Sequence, residues 1–146
     1  MKHLLVHPGS LYTSVIPNLL VDGIAEAICA SAALKIYVCN IMTQEGETEG
    51  YTAADHVAAL LKHGGPGLVE FCLCNNAPVS EELLKRYEAE GAEPIKIDKD
   101  EVKVLGAEVV LGDLASDNSQ FARHDYMKLA DALIKLYEER ANTRIF

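Results

Sequence analysis

The segment His7-Pro8-Gly9-Ser10-Leu11-Tyr12-Thr13-Ser14 follows a short apolar run and places a glycine, hydroxyls and backbone N–H groups in one turn. Such a turn can cradle a phosphate, since a strand-to-helix turn points its free N–H groups at an anion. It can equally be a plain helix N-cap at Ser10, with Pro17 ending a short helix. Asn40, Asn75 and Asn76 carry paired donors and acceptors that suit a ribose, a base edge or a sugar, and asparagine is also a common turn residue. His56 stands beside Asp55 near the start of a helical pattern. It reads as a surface or capping histidine, because no Ser or Cys nucleophile is placed next to it. His124-Asp125 precedes the last helix, where Asp125 serves as an N-cap. Glu45, Glu47 and Glu49 read either as a cation-binding run or as a solvated loop.

Two strong nucleotide fingerprints, G-x-G-x-x-G and G-x-x-x-x-G-K-[ST], do not occur in the chain. Cys29, Cys39, Cys72 and Cys74 lack metal-ligand spacing and the density of a disulfide scaffold, so no metal ligands are expected and the thiols read as buried and inert. Cys72 and Cys74 alternate along a strand-like run and should share one face.

The elements that must position these groups follow from apolar patterning. Strands are expected at 3–7, 35–39, 68–74, 94–97 and 107–111, short and β-branched, and mostly without alternation, as in strands buried on both faces. Between them lie helical patterns. Residues 22–32 open on Asp22 as N-cap, and 52–63 open on Thr52 with Asp55 completing a capping box. Residues 80–90 open on Ser80 with Glu81 and Glu82 in the first turn, and 126–140 follow Asp125. Alternating strands and helices imply a mostly parallel sheet covered on both faces, a doubly wound three-layer α/β/α layout in a single domain over 1–146. Ligands of such sheets bind beyond the strand C-termini, where Gly9-Ser10, Asn40 with Thr43 and Gln44, Asn75-Asn76, Asp98 and Asp113 would share one rim. The polar connections 40–51 and 113–125 are longer than most in compact domains, and such loops are more often functional or mobile.

The 146 residues carry a net charge of -9, a pI near 4.9 and 49% hydrophobic residues, a globular composition with a field that repels nucleic acid and anionic membranes. No membrane span or signal-peptide pattern is read, so a cytoplasmic protein is expected, without nucleic-acid or membrane partners.

Read together, "PGSLYTSVIPNLLV", "YVCNIMTQEGETEGYTAADHV", "NNAP" and "FARHDYMKLA" resemble the 2-phospho-L-lactate transferase-like family (CofD-like, UPF0052), and within it the bacterial gluconeogenesis-factor branch. The likeness runs over nearly the whole chain and corresponds to the C-terminal half of members roughly twice as long, whose N-terminal half supplies much of the nucleotide pocket. The resemblance implies a Rossmann-like fold. It implies two activities within the family: transfer of a phospholactyl group from a guanosine-diphosphate-linked donor to a deazaflavin with Mg²⁺, and regulation of carbon use and cell-wall synthesis by a protein that binds a uridine-diphosphate sugar. By position it implies Gly9, Ser10, Leu11, Tyr12 and Thr13 at the phosphate, with Asn40, Thr43, Gln44 and Asn76 lining the rest of the cleft. His7 stands where the family keeps glycine, and Glu45 where it keeps proline. The expectation is a nucleotide- or nucleotide-sugar-binding regulatory domain rather than an enzyme, with no cofactor beyond that ligand and Mg²⁺ only in the transferase alternative. A self-associating half-domain that binds nothing tightly is the third reading, and a homo-oligomer is expected.

Overall fold

A computed structural model describes residues 3–6, 9–117 and 120–143. Four strands, β1 (His3–Val6), β2 (Leu34–Val38), β3 (Phe71–Asn75) and β4 (Glu108–Gly112), form one parallel sheet in the order β1-β2-β3-β4. The helices are a π-helical turn Leu11–Val15 running into α1 (Ile16–Leu19), then α2 (Ile24–Ala30), α3 (Ala53–Gly64), α4 (Glu81–Ala89), α5 (Lys99–Val104) and α6 (Tyr126–Thr143).

The two sheet faces follow the two-residue strand period. Tyr37, Cys39, Cys72 and Cys74 point into a core with Leu11, Val15, Ile16, Val57, Leu60 and Val102, beneath the helices of the crossovers. Leu34, Ile36, Val38, Phe71 and Leu73 point the other way and pack on Leu114, Leu129 and Leu136, so α6 covers the second face. This is the expected α/β/α sandwich. Strands buried this deeply need apolar side chains on both faces, which is why the sequence shows runs rather than alternation.

Residues 94–97 do not join the sheet. Pro94 has no N–H to donate, and the segment instead pairs antiparallel with the loop after β2: Thr43 donates to the Glu93 carbonyl at 2.8 Å, and Ile95 to the Ile41 carbonyl at 3.0 Å. The apolar signal at Ile95 and Ile97 reflects packing under α3 and α5, not strand pairing. The sequence pattern also missed α5, whose six residues are too few to display a helical period.

Helix starts divide into expected and unexpected. Thr52 caps α3 with the full reciprocal box to Asp55, and Ser80 accepts from the Leu83 N–H of α4. Asp125 Oδ1 accepts from the N–H groups of Met127 and Lys128, capping α6. Asp22, however, does not cap α2. The cap is Gly23 at φ 83°, a left-handed conformation that glycine adopts freely and that lets the chain turn 77° after Leu19. Pro17 likewise does not end a helix. It lies in the first turn of α1, where a missing N–H costs nothing, and the wide π turn delivers the chain into it. Among the described residues, no single helix is long and apolar enough to cross a membrane.

Candidate functional site

The C-terminal ends of the strands form a rim, and a cleft of about 610 Å³ opens there. Gly9 and Ser10 after β1, Asn40, Thr43 and Gln44 after β2, and Phe121, Arg123, His124 and Tyr126 at the start of α6 line it. Five of the nine residues expected at a ligand are therefore brought together. Asn40 Nδ2 donates to the Gly9 carbonyl at 2.9 Å and ties the two strand ends into one wall. Thr43 is buried and closes the loop, accepting from the Glu93 N–H at 2.9 Å. Gln44 is exposed at the mouth, with its backbone fixed by the Thr48 hydroxyl at 3.0 Å.

The turn after β1 holds an anion already, one from its own chain. Ser10 Oγ lies 2.7 and 2.6 Å from the two carboxylate oxygens of Glu47, and the Tyr12 N–H donates to Glu47 Oε1 at 2.6 Å. Ser10 Oγ also contacts the Thr13 hydroxyl, and Ser10 makes no side-chain cap to the helix it precedes. Carboxylate and phosphate oxygens present similar charge and acceptor geometry, so the Glu47 carboxylate stands in for the kind of oxyanion this turn can hold. Leu11 is fully buried in the core and Thr13 is exposed beside Ser10. The Tyr12 ring turns away from the cleft to Tyr51, with hydroxyls 2.8 Å apart and rings edge-on at 6.2 Å; that hydrogen bond first, then burial, pushes the Tyr12 phenol up to about 12. His7 and Pro8 lie outside the described residues.

Other polar groups on the rim are tied into the fold. Asn75 accepts from the Ala77 and Leu114 N–H groups at 3.2 and 3.0 Å and donates to the Ala77 carbonyl at 2.9 Å, joining the ends of β3 and β4. Asn76 is exposed outside the cleft, with its N–H on the Gly112 carbonyl. Asp113 and Asp117 bracket the Lys128 ammonium at 3.2 and 3.1 Å. Asp98, expected at a strand end, accepts from the Ala54 N–H at 2.9 Å and braces the start of α3. The three glutamates of 45–49 diverge: Glu45 lies against Gly91, Glu47 on Ser10, and Glu49 on the Gly46 N–H.

Sequence reasoning assigned no role to Arg123. It is exposed on the cleft wall, its guanidinium 4.9 Å from the Phe121 ring centre, and no carboxylate pairs with it among the described residues. In a chain of net charge -9 this is a local positive point on an acidic body. An arginine in the long polar connection 113–125 was the signal available.

His56, read as a surface or capping residue, is fully buried beside Tyr51, with ring centres 5.7 Å apart. The helical stripe was read one position too narrow, and His56 sits inside it. Burial holds its pKa below the ordinary value, against the opposing Thr52 carbonyl and Asp55. Cys72 and Cys74 share a face as expected, with sulfurs 3.6 Å apart, and Cys39 joins them from β2.

A parallel α/β sheet with polar loops gathered at its strand C-termini is the layout in which such folds bind their ligands. Residues 2–115 match the family described as 2-phospho-L-lactate transferase CofD, and the chain belongs to that family. It is 43% identical over 136 residues to a Bacillus subtilis (strain 168) protein named gluconeogenesis factor, covering 93% of this chain and 43% of that protein. A gluconeogenesis factor of Halalkalibacterium halodurans is 43% identical over 132 residues, covering 90% of this chain and 41% of the relative. A crystal structure of a UPF0052-family protein from Bacillus halodurans superimposes with a TM-score of 0.86 at 44% identity, over 91% of this chain and 42% of that one. The chain thus spans less than half the length of the relatives it matches.

Proposed function

We propose that this chain supplies one wall of a nucleotide-sugar-binding cleft in a regulatory protein of carbon metabolism and cell-wall synthesis, with no chemistry of its own. The observation that carries this is the cleft itself. A turn that already holds an oxyanion on Ser10 Oγ and the Tyr12 N–H stands beside it, and Arg123 lines the same cleft. The diphosphate would meet the Ser10 turn and Arg123, and the sugar or base would meet Asn40 and Gln44. The names of the relatives support the regulatory role. The cytoplasmic location expected from the sequence goes with it.

Titration calorimetry of the chain with UDP-glucose tests the reading. Saturable heat that Ser10→Ala weakens is expected; no heat at millimolar ligand overturns it for this chain.

The proposal also includes association of copies. β4 is a sheet edge, Leu111 on it is 37% exposed, and Met127 and Ile134 on α6 are 60% and 57% exposed. Light scattering should give a dimer mass, and a monomer at all concentrations would refute this part.

A further inference from the structure

Cys39 at the end of β2 and Cys72 and Cys74 on β3 are fully buried, and their sulfurs all lie within 4.8 Å of one another. No disulfide joins them. Thiols in three separate core positions ordinarily scatter. Here the parallel pairing of β2 with β3 and the two-residue strand period bring all three to one face. Sulfurs bound at about 2.3 Å to one tetrahedral zinc stand about 3.8 Å apart. The Cys72–Cys74 separation is 3.6 Å, close to that spacing before any adjustment.

We propose that Cys39, Cys72 and Cys74 bind one thiophilic d¹⁰ cation, zinc(II), as thiolates. Binding releases three thiol protons to solvent, and the buried assembly carries one net negative charge. Thiolate ligands favour zinc over magnesium or calcium, and the complete burial of all three sulfurs makes the site structural. It clamps β2 to β3 on the sheet face whose core includes Val57 and Leu60 of α3. It is independent of the nucleotide reading.

The test uses the whole chain, purified reduced, stripped with a chelator and reloaded. One zinc per chain should survive gel filtration, measured by elemental mass spectrometry. Cobalt(II) in its place should show thiolate-to-metal charge-transfer bands and intense tetrahedral visible bands. Cys74→Ala should weaken zinc on the order of 100-fold and Cys29→Ala should leave it unchanged, each with native circular dichroism. Absence of retained zinc, or a cobalt spectrum without thiolate bands in the unaltered protein, overturns the proposal whether or not the variants fold. So does zinc held as tightly by a folded Cys74→Ala protein.

Discussion

Ser10 and Glu47, 37 residues apart in the chain, meet through one hydroxyl shared between two carboxylate oxygens at 2.7 and 2.6 Å. The contact joins the turn after β1 to the loop after β2 and fills an oxyanion position with a side chain. An incoming phosphate on the Tyr12 N–H must displace that carboxylate or be repelled by it. Replacing Glu47 with glutamine keeps the shape and removes the charge. Glu47→Gln should therefore tighten UDP-glucose binding several-fold, about 1 kcal/mol, by titration calorimetry, while Ser10→Ala weakens it. Unchanged or weaker binding in Glu47→Gln would assign the carboxylate a purely structural role.

Arg123 leads to a second expectation. Stacked 4.9 Å from the Phe121 ring centre, its guanidinium is held at the cleft wall without a carboxylate partner among the described residues. Arg123→Ala should weaken UDP-glucose about tenfold and flatten the salt dependence of binding. Arg123→Lys should recover only part, because an ammonium lacks the planar stack and the paired donors. Equal affinity and salt slope for all three proteins would remove Arg123 from the site.

The burial of His56 gives stability a pH dependence in the metal-free protein. Desolvation lowers the folded-state pKa below 6.5, with the Thr52 carbonyl, Asp55, Cys74 and Glu47 opposing. The unfolded chain therefore binds more protons as pH falls, and stability rises with pH through this window. The contribution of neutral His56 is complete above about pH 6.5 and is lost as pH drops toward the lowered folded value. Urea midpoints measured from pH 7.5 downward should fall below pH 6.5 in the metal-free protein, and His56→Gln should reduce that slope. An identical slope in the variant would locate the dependence elsewhere.

Packing at the end of α3 is tight enough to read from one missing methyl group. A Cβ on Gly64 would stand 2.5 Å from Leu68 Cδ2, and Leu68 is fully buried, so the leucine has no open space to move into. Gly64→Ala should cost about 1–3 kcal/mol by urea denaturation, more than the gain from better helix propensity. A neutral result would mean that the turn before β3 repacks freely.

Much of this fold is written locally in the chain. Thr52 with Asp55, and Ser80 with its following glutamates, announce α3 and α4 because a cap and its partner lie three residues apart. The apolar runs at 35–39 and 107–111 announce strands, and with helices between them only a parallel sheet results, which places Gly9, Ser10, Asn40 and Gln44 on one rim. The family likeness was legible in the motifs for the same reason. Where local and tertiary signals compete, the tertiary structure decides. Ile95 and Ile97 look like a strand until Pro94 and the loop at 41–43 take up the segment's backbone. Glu47 looks like a solvated acid until the fold brings it to Ser10, and Arg123 becomes part of the cleft only when the loop before α6 folds over the strand ends. Cys39 and the Cys72/Cys74 pair show no ligand spacing in the chain. The lateral register of β2 on β3 makes them neighbours, and pairing between strands is a relation between distant residues that no local pattern encodes.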